Sequence, residues 1–250
     1  MKRLLACLAL LALAGGAQAQ ERRPEGGGMR GGPGGPGGSR FSYANPSAAI
    51  AAEIAFAQLA RDKGQWTAFA ATAADDAVMF TPAMTLAHPW LKGRANPPVL
   101  LTWQPHEVWS SCDGSLLVTT GAWQKSDKHG WFTTVWQRQE KGGYKWVFDH
   151  GDATRDPVAE PDMIGAHVAT CPERRAGPRP GGPPHRPGKP PKQAKAPPVP
   201  FDPTRRDGKS TDGTLTWRVT ADAAGTHDFI VQMQVEGQMQ EIRNEHVAGG

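Results

Sequence analysis

The sequence predicts an α+β fold: a curved antiparallel sheet wrapped around N-terminal helices, with a small β extension at the C-terminal end. Three observations carry that prediction. Helical spacing is confined to Ser47–Thr72, ahead of every strand-like run. From Val78 to Asp152 the chain alternates short aromatic and β-branched stretches with Gly, Asp and Pro turns. The densest of these, Gly121–Asp152, reads as a hairpin with aromatic and polar residues on both faces, as a sheet closed around a cavity requires.

The chain begins with Met1-Lys2-Arg3, an apolar run Leu4–Ala14 and the small-x-small site Ala17-Gln18-Ala19, which read as a cleaved signal peptide over 1–19. A periplasmic or secreted location follows. Residues 20–45 are Gly/Pro-rich, with too few apolar side chains to offset ordering entropy, so a disordered tether is expected. The main domain is expected over 46–171. Within it, Ser47–Lys63 carries Ile50, Ile54, Ala57 and Leu59-Ala60 at helical spacing and stops at Gly64. Trp66–Thr72 reads as a second short helix, and Val78–Phe80 as a strand closed by Pro82. Leu86–Leu101 reads as a loop carrying one helical turn. Thr102–Ser111 is a strand in which Pro105 demands an edge or a bulge. Leu116–Trp123 is the next strand, and Gly151–Cys171 is expected to leave the sheet. Residues 172–200 form a Pro-rich basic linker, and 201–247 a small β extension that docks on the main sheet because it is too small for a secure core.

The hairpin centres on the turn Glu140–Gly143. Pairing Gln139 with Tyr144 continues as Gln137 with Trp146, Val135 with Phe148 and Thr133 with His150. One face then carries Trp131, Val135, Trp146, Phe148, His150 and Asp152, the other Phe132, Trp136, Val147 and Asp149. Parity does not say which face is inside.

Net charge is +4, which invites a nucleic-acid partner. Residues 172–200, however, hold seven basic residues against one acidic, and the rest of the mature chain is acidic on balance. No nucleic-acid partner is expected. A linker of this kind suits an anionic envelope surface, or serves as a spacer. Removing Cys7 with the signal leaves Cys112 and Cys171, a disulfide pair in an oxidising compartment or two buried thiols.

The run Val135-Trp136-x-Arg138-Gln139 followed by Gly142–His150 resembles the hairpin of the SnoaL-like, ketosteroid-isomerase-like superfamily of cone folds, in its branch without assigned function. The resemblance covers 46–152. It implies a strongly curved antiparallel sheet over helices enclosing an apolar pocket, and in some members a homodimer. Enzymes of that superfamily place carboxylates, a His or a Tyr in the dry pocket, where burial moves their pKa towards working pH.

Candidate catalytic residues are therefore Asp149 and His150, of which at most one lines the pocket. His150 and Asp152 share a face and could pair. Nine Trp residues, eight of them between Trp66 and Trp146, serve as core or as walls of an aromatic-lined pocket. Candidate ligand-binding residues are Trp103, Trp136, Trp146, Phe148 and His88. His88 and His106 lack metal-ligand spacing, and neither metal nor cofactor is expected. Three function classes follow: a binder of a small apolar or aromatic molecule, an acid/base enzyme (isomerase, dehydratase or hydrolase), and a non-catalytic envelope-interaction protein.

Overall fold

A computed structural model describes residues 44–171 and 200–249. The signal segment, nearly all of the tether and residues 172–199 of the linker lie outside the described residues.

Helix α1 (Pro46–Lys63) opens with Pro in its first turn, where the missing N–H costs nothing, and leads into α2 (Gln65–Thr72) through Gly64. Gly64 has φ +94°, and Asn96 seals the corner: its Oδ1 accepts from Thr67 N at 3.1 Å and its Nδ2 donates to the Lys63 carbonyl at 3.2 Å. The buried stripe of α1 is Ala49, Glu53, Phe56, Ala57 and Ala60, whereas Ile54 is half exposed. The Ile50/Ile54 stripe read from the sequence is thus rotated. Phe56 decides the face, because its ring meets Phe69 at 4.8 Å and Trp103 at 4.7 Å, both edge-on.

Next come β1 (Ala73–Phe80), β2 (Met84–Leu86), the single turn α3 (Ala87–Leu91), β3 (Thr102–Ser110), β4 (Leu116–Lys125), β5 (Lys128–Arg138), β6 (Tyr144–Ala153) and β7 (Gly165–Val168). They form one seven-stranded sheet in the order β2-β1-β6-β5-β4-β3-β7. β3 to β6 are an antiparallel meander, while β1 joins β6 and β7 joins β3 in parallel. α1 packs on β3 and β4, and α2 on β6, so the sheet curves around the helices. Pro105 sits at a bulge in β3, where its absent N–H leaves no ladder bond broken. β7 corrects the expectation that 151–171 leaves the sheet: four residues return to cover the edge of β3.

The hairpin register holds at Val135–Phe148 and Thr133–His150, but a bulge separates that ladder from Trp136–Trp146 and Gln137–Lys145. Cross-strand partners share a face, so Trp146 moves to the side of Trp136, Phe132 and Asp149. That side faces the helices: Trp146 Nε1 donates to the Phe69 carbonyl at 3.2 Å.

β8 (Arg205–Lys209), β9 (Leu215–Ala221), β10 (His227–Val235) and β11 (Gln238–Val247) form a second, antiparallel sheet. It covers the opposite face of β6, with Phe148 stacked on Phe229 at 4.6 Å and tilted against Trp217 at 5.2 Å. The two sheets also meet through two copies of one turn, Ser111-Cys-Asp-Gly-Ser115 and Ser210-Thr-Asp-Gly-Thr214. In each, the aspartate Oδ1 accepts from the first serine hydroxyl and from the backbone N–H two residues on. The turns then join reciprocally: Cys112 N donates to Thr214 Oγ1 at 2.9 Å and Thr211 N to Ser115 Oγ at 2.8 Å. Cys112 is disulfide-bonded to Cys171, 59 residues on.

Candidate functional site

Helices on one side and β1 and β3 to β6 on the other leave an open cavity of about 260 Å³. Phe56, Trp66 and Phe69 come from the helices, Trp103, Trp123 and Phe132 from the sheet, and Met79 and Phe80 from β1. The volume is slightly below the range of roughly 300–1,000 Å³ typical of small-molecule sites.

Asp149 is the carboxylate on this wall. It is partly buried, lines the cavity, and accepts a 2.7 Å hydrogen bond from Thr134 Oγ1, its cross-strand partner. Burial raises its pKa from 3.8 to about 7; the Thr134 bond opposes the rise and the nearby charge of Glu53 adds to it. Glu53 is fully buried on α1. Its Oε1 accepts from Trp103 Nε1 at 2.7 Å, and its Oε2 from Thr119 Oγ1 at 2.6 Å and Trp136 Nε1 at 2.9 Å. Burial raises its pKa despite three donors that favour the ionised form. The two carboxyls thus form a pair behind and beside the aromatic wall. Either can hold a proton in a setting where an exposed carboxyl would not.

His150 also borders the cavity, but its ring points the other way, as strand parity requires. Its Nδ1 lies 2.9 Å from His227 Nε2 and its Nε2 lies 2.8 Å from Glu245 Oε2. The Gly225 carbonyl, 2.7 Å from His227 Nδ1, can only accept, so His227 carries its proton there and its Nε2 accepts from His150 Nδ1–H. One proton is then shared between His150 Nε2 and Glu245 Oε2. Burial, opposed by the Gly225 bond, lowers the His227 pKa from 6.5 to about 4. Burial pushes Glu245 up, but the His150 and Arg243 contacts outweigh it and hold its carboxyl below 4.5. The His150–Asp152 pairing is corrected: Asp152 bonds the Ala153 N–H, and the carboxylate at His150 comes from Glu245.

Of the candidate ligand-binding residues, Trp103 stands in the cavity wall. Trp136 and Trp146 are fully buried behind it, tied to Glu53 and to α2. Phe148 lies on the far face, in the seam between the sheets, because the bulge separates its parity from that of Trp146. His88 lies on α3 in a surface hollow with Trp66 and Arg94. His106 is buried on the face away from the cavity, near Thr120 and Trp131. Cys112 and Cys171 form the disulfide. Among the described residues, no three His, Cys, Asp or Glu side chains are grouped to hold a metal ion.

Glu53, Gln65, Thr134, His227 and Glu245 were not singled out from the sequence. Glu53 alone left a signal: with Ala49 and Phe56 at helical spacing, it continues an otherwise apolar stripe.

Fold and site together define a class, a curved-sheet protein whose helix-filled interior keeps an aromatic, acid-bearing cavity. The chain is similar to ketosteroid-isomerase-like structures. One is a proposed ketosteroid isomerase from Parabacteroides distasonis ATCC 8503, 17% identical with TM-score 0.35, covering 46% of this chain and 98% of that one. A second, from Kribbella flavida DSM 17836, is 11% identical with TM-score 0.33, covering 47% and 86%. A third, an LEH-like epoxide hydrolase of M. tuberculosis, is 20% identical with TM-score 0.30, covering 44% and 81%. No protein-family model and no curated protein matches the chain.

Proposed function

We propose that this protein binds a small, largely apolar or aromatic molecule in the cavity between the helices and the sheet. The observation that carries this reading is a preformed cavity walled by six aromatic rings of the helices, β3, β4 and β5, with a single carboxyl, Asp149, on its wall. Such a lining removes ligand surface from water, and one polar group orients the ligand. The test is titration of the protein with small hydrophobic metabolites, read by tryptophan fluorescence and thermal shift. Quenching together with stabilisation supports the reading. Silence across aromatic, alicyclic and terpenoid compounds sinks it and leaves the envelope-interaction reading.

A second reading, acid/base catalysis on the same molecule, is favoured by the state of Asp149. A carboxyl titrating at about 7 both gives and takes a proton at neutral pH. Asp149→Asn separates the two readings. An enzyme loses roughly 10²- to 10⁴-fold in turnover with binding retained, whereas a pure binder shows no turnover in either form. We place the protein outside the cytoplasm, on the strength of the signal-like residues 1–19, and the Cys112–Cys171 bond supports an oxidising compartment. N-terminal sequencing of the mature protein tests that placement.

A further inference from the structure

The walls of the cavity are not equally held. Trp103 Nε1 donates to Glu53 at 2.7 Å, Trp123 Nε1 donates to the Trp131 carbonyl at 3.0 Å, and Phe56 meets Phe69, Trp103 and Trp136 edge-on. The wall formed by Met79, Phe80 and Thr81, at the end of β1, has less of the main sheet behind it. Its parallel ladder with β6 is interrupted between Ala73 and Val78 and ends at Met79, and on the other side β2 offers three residues. The second sheet holds this wall instead, at three places. Arg206 of β8 donates through Nη2 to the Asp76 carbonyl at 3.2 Å and to the Asp76 carboxylate, inside the stretch where the ladder is interrupted. His227 of β10 lies flat on Phe80, with ring centres 3.5 Å apart and planes 11° from parallel. Its imidazole is fixed in turn by His150 and the Gly225 carbonyl, so a rigid plate stands behind the Phe80 ring. The β9–β10 turn abuts the chain just past Thr81, where a Cβ on Gly225 would come within 2.5 Å of the Pro82 carbonyl oxygen.

We propose that the second sheet sets the upper size limit of the ligand by bracing β1, with Arg206 and His227 as positioning residues that stand outside the cavity. This rests on the binding reading above and adds a determinant that the cavity lining does not contain. A ligand that fits the space of about 260 Å³ leaves β1 where it is. A larger one must displace a wall. Close-packed walls resist displacement, and the wall with the fewest ladder bonds yields first. Moving β1 breaks the Arg206–Asp76 bonds and separates Phe80 from His227, so the brace weighs against oversized ligands alone. Selectivity of this kind comes from strain imposed on the wrong molecule, without any contact to the right one.

The test measures the Kd of naphthalene and of the larger phenanthrene by equilibrium dialysis against the full chain and its variants. Arg206→Met removes the bonds to Asp76, and His227→Ala removes the plate behind Phe80. Each should tighten phenanthrene relative to naphthalene by roughly five-fold, the worth of one hydrogen bond, with naphthalene itself unchanged. Arg206→Lys keeps a donor and should return part of the wild-type ratio. His227→Phe loses the same bond to His150 as His227→Ala but keeps a flat ring, and should hold the wild-type ratio. Arg206 is only half-buried, so Arg206→Met reads the brace even where a seam variant does not fold. A change that merely destabilised the fold would weaken both probes alike and leave their ratio fixed. An unchanged ratio in Arg206→Met, with naphthalene bound by wild type, overturns the inference and leaves the binding cavity in place. Failure of wild type to bind naphthalene overturns it too, and the same silence across hydrophobic compounds at large removes the binding reading as well.

Discussion

Glu53 and Asp149 show how a carboxyl is kept inside an aromatic interior. Glu53 is tolerated because two indole N–H groups and a threonine hydroxyl meet its oxygens. Glu53→Ala strands these donors, so a loss of about 3 kcal/mol in denaturant unfolding is expected, with the cavity wall at Trp103 loosened. Asp149 has one donor, Thr134, and a cavity instead of water. Its folded pKa lies above its ordinary 3.8, so the native state holds the proton more tightly than the unfolded chain between 3.8 and about 7. Stability from this group is full below that window and falls as pH rises through it. Asp149→Asn should flatten the fall, leaving the variant more stable than wild type at pH 8 by on the order of 2–4 kcal/mol. Thermal melts at pH 5 and pH 8 measure the difference; equal slopes for the two proteins would contradict the assignment.

At the scale of elements, one bulge and one repeated turn decide where chemistry goes. The bulge in β6 turns Trp146 inward while keeping Phe148 and His150 outward, so a single strand serves the cavity with Asp149 and the sheet seam with His150. The twin Ser-x-Asp-Gly-Ser/Thr turns clamp the second sheet. Burial pushes Asp212 up, but its bonds from Ser210, Thr214 and Asp113 N hold it below 3.8. Asp212→Ala removes the acceptor that orders one turn and caps the other, a loss of about 2 kcal/mol localised by hydrogen exchange to β8 and β9. The seam between the sheets is acid-sensitive. His227 is depressed to about 4, so stability is lost as pH falls from 6.5 through 4, and Glu245 loses its ionised form in the same direction. Arg243 and His150 face that carboxylate, and Asp228 and His246 stand beyond it. The stacking of His227 on Phe80 at 3.5 Å ties the seam to a ring of the cavity wall. Hydrogen exchange at pH 4.5 should therefore show β10 and β11 losing protection before β3 to β5, and His227→Phe should narrow that gap.

For the molecule as a whole, the disulfide ties the corner after β3 to Cys171, three residues past β7 and beside Thr170, whose N–H donates to the Gln234 carbonyl of β10 at 2.7 Å. With the cysteines 59 positions apart, reduction should cost about 4 kcal/mol in the chain-entropy model. That corresponds to a drop in Tm of roughly 10 °C, read by calorimetry with and without reductant. The loss should be felt by both sheets, because the bond stands where they join.

Local chemistry made much of this legible. Helical spacing and Gly64 located α1 and α2, Pro105 called for an edge or a bulge in β3, and paired glycines placed the β5–β6 turn. Asp149 was readable as a candidate through the resemblance of its hairpin, and strand alternation separates it from His150 whatever the fold. What stayed hidden depends on distant residues meeting. The inward face of α1 was chosen by Phe56 finding Phe69 and Trp103, and with it Glu53 went inside. The bulge that moved Trp146 follows from packing on α2, which no spacing rule contains. Glu245 reached His150 across 95 residues, and Gln65 reached the cavity only once Asn96 closed the helix corner. Backbone preference and side-chain periodicity act over a few residues and are written in the chain. Burial and pKa arise only when the sheet closes over the helices, and those decided the site.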